Sequence, residues 1–127
     1  MHILGIDIGG TGIKGAPVDV EMGELLAERY RLITPDPSTP EACADCIQQI
    51  VQHFNWEGRI GAGYPGVVKN GVTLSAANVD AGWLNLDAKT LIEHVTQCKT
   101  NVINDADAAG LAEIRFGAGR DVNGVVL

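Results

Sequence analysis

Apolar residues alternate with small or polar ones from Ile3 to Ile8, and an apolar-rich extended pattern resumes from Ile13 to Val20 after a break at Gly9-Gly10-Thr11-Gly12. A period of two is the signature of a half-buried strand, so the two runs read as strands joined by a glycine turn. Met22 and Gly23 make a second turn, and Leu25, Ala27, Arg29, Arg31 and Ile33 predict a third strand ending at Thr34. Pro35, Pro37 and Pro40 then forbid regular structure. Ser38 or Thr39 as N-cap, Pro40 in the first turn and Glu41 beside the positive end of the dipole predict a helix running to about Phe54. Its apolar face carries Cys43, Cys46, Ile47, Ile50 and Phe54.

Gly58 to Gly63 reads as a strand with Ile60 and Ala62 inward, leading to the corner Tyr64-Pro65-Gly66. Val67-Val68-Lys69 and Val72-Thr73-Leu74 flank Asn70-Gly71, a type I′ hairpin signal. A loop of small and polar residues, Ser75 to Gly82, follows. Leu86, Leu91, Ile92 and Val95 mark a second helix capped by Asn85 or Asp87, and Asn101-Val102-Ile103 returns to the sheet. A third helix is predicted from Ala108, Leu111, Ala112, Ile114 and Phe116, with Gly117 as its stop.

Candidate chemistry gathers at the first turn. Glycines permit positive φ and leave room for a close ligand, so backbone N–H groups there can form a concave nest for phosphate oxygens. Asp7 leaves the first strand beside that nest. A carboxylate would repel a bare phosphate, so Asp7 reads as holding a hydrated Mg²⁺ that bridges to one; Thr11 adds a hydroxyl and Lys14 a point charge. Gly10-x-Gly12-x-x-Gly15 satisfies the dinucleotide fingerprint in letters, but Pro17 sits where the required helix would run. A P-loop fails as well, since Ile13 precedes Lys14 and Gly15 follows it. The plainer reading is a glycine hairpin without a ligand. Plain readings also exist for Gly66 in a Pro-Gly corner, for Asn78 as an Asx-turn former, and for Asn104 and Asp105 as helix caps.

Asp7-Ile8-Gly9-Gly10-Thr11 with Lys14 resembles the phosphate-1 motif of the actin, hexokinase and Hsp70 ATPase superfamily. Gly63-Tyr64-Pro65-Gly66-Val67-Val68, Ala76-Ala77-Asn78-Val79-Asp80 and Asn104-Asp105-Ala106-Asp107-Ala108-Ala109-Gly110-Leu111-Ala112-Glu113 make the wording similar to the ROK family of sugar kinases and repressors, specifically to actinobacterial polyphosphate/ATP-dependent glucokinases. The resemblance covers nearly the whole chain. It implies Asp105 as the catalytic base and Gly66, Asn78, Asn104 and Asp105 as sugar ligands. It places phosphate on Gly9, Gly10, Thr11, Gly12 and Lys14, and Mg²⁺ on Asp7 through water. Trp83 is read as a packing anchor.

The implied fold is α/β: a ribonuclease-H-like lobe of the actin/hexokinase type, with three antiparallel then parallel strands in a mixed sheet and helices on both faces. Residues 1–123 are expected to form the first lobe of a glucokinase that moves a phosphoryl group from polyphosphate or ATP to the 6-hydroxyl of glucose. Residues 124–127 would open the first strand of a second lobe. That lobe would bring another phosphate loop, the adenosine pocket and the family's zinc motif, so the chain alone is expected to be inactive. Two alternatives are a sugar-sensing ROK regulatory domain and a non-catalytic actin-like nucleotide-binding module. A repressor would carry a DNA-binding winged helix ahead of this lobe, whereas the first strand begins at His2 or Ile3; the sugar motifs argue against the second alternative.

Composition narrows the partners. With 127 residues, a formal charge of −7 and no basic run, the chain is one acidic domain suited to small ligands, with no nucleic-acid or anionic-membrane surface. No apolar stretch approaches the ~18 residues of a membrane span, and Met1 leads straight into a strand, so a cytoplasmic protein is expected. Three cysteines do not make a disulfide framework. Cys43 and Cys46 fall on the apolar helical face and Cys98 is isolated, which favours buried thiols over zinc or redox chemistry. An exposed lobe interface and an unpaired terminal strand make a homodimer a further expectation.

Overall fold

The first two runs become β1 (His2–Ile8) and β2 (Gly12–Asp19), an antiparallel hairpin with Asp7 opposite Lys14 and Ile8 opposite Ile13. The computed structural model describes residues 1–77 and 79–105. The third strand expected up to Thr34 is two pieces, β3 (Glu24–Leu25) and β4 (Tyr30–Ile33), both paired with β2. Gly15 faces Tyr30 but Val18 faces Leu25, so three steps along β2 answer five on its partner and the surplus loops out. The break lies opposite Pro17, which has no N–H to give a continuous ladder.

Helix α1 (Pro40–His53) starts as its capping residues dictate, with the Thr39 hydroxyl accepting from the Ala42 N–H at 3.2 Å. It carries the chain back over the sheet, so that β5 (Arg59–Tyr64) enters parallel to β1. Next come β6 (Val68–Lys69), β7 (Val72–Thr73) and β8 (Leu86–Asp87), a separate small sheet. Its turn has Asn70 at φ 53° and Gly71 at φ 80°, the paired left-handed residues of a type I′ hairpin. Leu86, expected in the second helix, is instead in β8 opposite Thr73. Asp87 then caps α2 (Ala88–Thr96), accepting from the Thr90 N–H and hydroxyl. Finally β9 (Thr100–Asn104) lies parallel to β5, giving the order β3-β2-β1-β5-β9 with β4 also on β2.

The core lies between the sheet and the two helices. Leu4, Ile60 and Thr100 form one row across the three parallel strands and Ile6, Ala62 and Val102 the next, all buried. Cys43, Ile47 and Ile50 of α1 and Ala88 and Ile92 of α2 belong to the same buried cluster. Gly15, opposite Ile6, is needed for this contact: a Cβ there would stand 2.6 Å from Ile6 Cδ1 and 2.9 Å from the Gly5 carbonyl oxygen. Trp83, in a short 3-10 turn (Ala81–Trp83), is fully buried against Tyr64, with ring centroids 5.0 Å apart. It is a packing anchor.

All three cysteines are buried and unbridged. Burial pushes the Cys43 thiol up to about 12 and raises Cys46 as well, which keeps both in the unreactive protonated form. No described helix is long and apolar enough to cross a membrane. The expectations for Asn78, for the helix of residues 106–117 that would cover the second face of the sheet, and for residues 124–127 lie outside the described residues.

Candidate active site

The three parallel strands β1, β5 and β9 point their carboxyl ends the same way, and the sequence places its polar residues there. Asp7, Gly63 and Ile103 form one row across the sheet, on the face away from α1 and α2. Asp105 follows two residues after Ile103 and is exposed. Asp7 and Asp105 thus stand at the same end of the sheet, with β5 between their strands.

On the Asp7 side, the hairpin turn is closed by the Gly9 N–H donating to the Gly12 carbonyl at 3.0 Å. Positive φ among the described glycines is confined to Gly23, Gly58 and Gly71, so Gly9, Gly10 and Gly12 do not adopt the expected left-handed conformation. Glycine is required for space at Gly9, whereas at Gly12 only the flexible end of Arg31 would have to shift. A Cβ on Gly9 would lie 2.8 Å from the Gly12 carbonyl oxygen, and one on Gly12 would fall 2.5 Å from the Arg31 guanidinium. Thr11 and Gly10 are exposed. Lys14 Nζ is 3.6 Å from Asp7 Oδ2, with both side chains about half exposed, a contact of little energetic weight in water. A single half-exposed carboxylate suits Mg²⁺, which keeps most of its waters and takes its other ligands from phosphate. Among the described residues no group of three acidic, His or Cys side chains forms a protein cage for a metal.

On the Asp105 side, the Asn104 side-chain amide donates to the Gly66 carbonyl, tying the end of β9 to the corner after β5. The Gly66 N–H donates to the Tyr64 carbonyl at 2.9 Å. A side chain at Gly66 would collide with Tyr64 Cε2 at 2.7 Å and Ser75 Oγ at 2.8 Å. The corner is therefore a built surface rather than a loose turn. The segment that leads to Asn78 is pinned at both ends. Ser75 accepts the Tyr64 hydroxyl at its carbonyl, 2.7 Å, and the Val67 N–H at its Oγ, 2.9 Å. The Asp80 N–H donates to Ser38 Oγ at 3.1 Å, and the Trp83 indole N–H to the Ser38 carbonyl at 2.9 Å. Burial, with Cys43 adding a smaller effect, pushes the Tyr64 hydroxyl up to about 12, so it remains a donor throughout the working pH range.

Sequence reasoning missed Arg31 and Thr34. The Thr34 hydroxyl donates to the Gly9 carbonyl at 2.6 Å, its N–H donates to the Thr11 carbonyl at 3.3 Å, and Arg31 adds a guanidinium N–H to the same Thr11 oxygen at 3.2 Å. Their signal was the end of the third strand, whose pairing to Gly12 only the register reveals.

A sheet in which an antiparallel glycine hairpin is followed by parallel strands, with polar residues at their carboxyl ends, defines the ribonuclease-H-like lobe of the actin and hexokinase type. The chain belongs to the ROK family, whose family model matches residues 3–127. It is 47% identical over 127 residues to the polyphosphate glucokinase of Mycobacterium tuberculosis (strain CDC 1551 / Oshkosh), covering 99% of this chain and 48% of that protein. Its structure matches that of the inorganic polyphosphate/ATP-glucomannokinase from Arthrobacter sp. strain KM with a TM-score of 0.90 at 47% identity, over 95% of this chain and 51% of that one. The ROK family glucokinase from Streptomyces griseus, solved in complex with glucose and AMPPNP, matches with a TM-score of 0.83 at 34% identity, over 95% of this chain and 38% of that one. The chain spans about half the length of the curated relatives it matches.

Proposed function

We propose that this chain is the lobe of a glucokinase that carries the catalytic base and the first phosphate loop, and that the whole enzyme moves the terminal phosphoryl group of polyphosphate or ATP to the 6-hydroxyl of glucose. In this reading residues 1–123 are the lobe and residues 124–127 begin the next. The observation that carries it is the convergence at one sheet end of the Asp7 hairpin, the Gly66 corner and the Asn104-Asp105 pair. The named activities of the similar proteins support the same substrates.

The chemistry follows from positions. Asp105 accepts the proton of the sugar hydroxyl as its oxygen attacks the terminal phosphorus, and the bond from that phosphorus to the bridging oxygen breaks, leaving the donor one phosphate shorter. Asn104 holds the Gly66 corner against the end of β9, so sugar and base share one rigid frame. Gly66 offers the sugar a flat backbone surface and its carbonyl, with Asn78 as a further ligand. On the donor side, the N–H groups of Gly10, Thr11 and Gly12, the Thr11 hydroxyl and Lys14 receive phosphate oxygens, while the Gly9 N–H closes the turn on the Gly12 carbonyl. Asp7 would hold Mg²⁺ through water, and the ion would supply charge neutralisation on the donor.

The test is Asp105→Asn in the full-length enzyme, assayed for glucose 6-phosphate formation with each donor. Loss of a positioned base should lower kcat by about 100- to 10,000-fold while the glucose KM stays within a few-fold. Turnover equal to wild type would refute the assignment. Glucose binding without turnover in the unsubstituted enzyme would favour a sugar sensor.

A further inference from the structure

Three residues directly opposite one another on consecutive strands, Asp7 on β1, Lys14 on β2 and Arg31 on β4, form a row on the face of the sheet away from α1 and α2, beside the phosphate hairpin. Two of the three are cations, set side by side in a chain whose formal charge is −7. Like charges directly opposite on neighbouring strands cost stability. Lys14 leans toward Asp7, and among the described residues no carboxylate pairs with Arg31. The exposed guanidinium instead lies over Gly12, where a Cβ would clash with it, and spends one N–H on the Thr11 carbonyl. A guanidinium has five N–H donors in a planar fork, and beyond the Thr11 carbonyl none of them has a hydrogen-bond partner among the described residues.

We propose that Arg31 is a second donor-binding cation of the phosphate loop, and that with Lys14 it holds phosphates upstream of the one transferred, favouring an extended polyphosphate chain. This rests on the sugar-kinase reading above. The geometry supplies the direction: from the metal-suited Asp7, positive charge steps outward along the sheet, one strand at a time, toward the edge at β4. A nucleotide's third phosphate is capped by its nucleoside, whereas tripolyphosphate ends there on a bare phosphate with an extra ionisable oxygen, and a longer chain carries its charge on into reach of the outer cation. Phosphate oxygens suit the guanidinium fork, which can bind them in pairs.

The test is Arg31→Gln in the full-length protein. Glutamine keeps an amide donor for the Thr11 carbonyl while removing the charge, which separates the clamp on the loop from the binding of anion. Two readouts are used: calorimetric binding of tripolyphosphate, and the KM for long-chain polyphosphate and for ATP with glucose in excess. The expected result is about a tenfold weaker tripolyphosphate affinity and a comparable rise in the polyphosphate KM, from loss of one charge-assisted contact. The ATP KM should rise less, and glucose KM and melting temperature should hold. Unchanged tripolyphosphate affinity would overturn the proposal, as would a parallel fall in melting temperature, ATP use and polyphosphate use, which marks a structural clamp alone. If the unsubstituted protein phosphorylates glucose with neither donor, the sugar-kinase reading fails while the tripolyphosphate titration still decides the role of Arg31.

Discussion

Replacing Tyr64 with Phe removes one oxygen from the centre of the molecule and leaves its shape unchanged. The ring would keep its place beside Trp83, and no cavity larger than the missing hydroxyl is opened. What is lost is the 2.7 Å bond from the buried hydroxyl to the Ser75 carbonyl. A typical intramolecular hydrogen bond contributes about 1 kcal/mol net, and an acceptor stranded without its donor adds to that, so a loss of about 1–2 kcal/mol is expected. For a domain of this size that is a fall of roughly 4–8 °C in melting temperature. Urea denaturation of both proteins, followed by tryptophan fluorescence, measures it directly. Ser75 opens the segment that leads to Asn78, so the glucose KM of the full-length Tyr64→Phe enzyme should rise while kcat stays within about twofold, the pattern of lost uniform binding. A stability change below about 0.3 kcal/mol would refute the claim that this hydroxyl fastens the loop to the core.

Two further substitutions probe the frame around the site. At Gly71, φ is 80° and a Cβ would stand 2.7 Å from Lys89 Cβ, so Gly71→Ala should cost about 1–3 kcal/mol, read as a lower urea midpoint. Glu93 accepts the Thr100 N–H and the Lys89 ammonium, which hold its carboxyl below the ordinary value, the backbone bond contributing most. A carboxyl with a folded pKa below its unfolded one contributes stability above the unfolded value and loses it as pH falls through the folded one. Melting curves should therefore show wild type above Glu93→Gln at neutral pH, the gap closing as pH drops below the ordinary glutamate range; a gap that persists in acid would refute the linkage.

Much of the frame was legible because it rests on local chemistry. Thr39 and Pro40 start α1, Asn70-Gly71 forces the type I′ turn, and the alternation in β1 fixes which of its residues enter the core. Local patterns failed where partners lie far apart in sequence. The split between β3 and β4 comes from a register shift against β2, opposite Pro17, and the sequence of the third strand alone carries no trace of it. Leu86 fits a helical spacing as well as a strand, and its pairing with Thr73 decides the matter. In the candidate site, residue identity and motif wording pointed to Asp7, Gly66, Asn104 and Asp105. The motifs are silent on the residues that hold them: Arg31 and Thr34 grip the hairpin from β4, and Ser38 anchors Asp80 and Trp83 from more than 40 positions away.

The grip of Thr34 and Arg31 on the hairpin has an entropic consequence. Fixing the backbone of a mobile residue costs about 1–2 kcal/mol, so a slack four-residue turn would charge several kcal/mol against every ligand that ordered it. Here the Gly9 and Thr11 carbonyls are already held from β4, and the ordering is completed when the chain folds. On the proposed reading of this turn as a phosphate site, it would meet an anion as a rigid template, with affinity set by fit and charge rather than by how far the backbone must be persuaded to close.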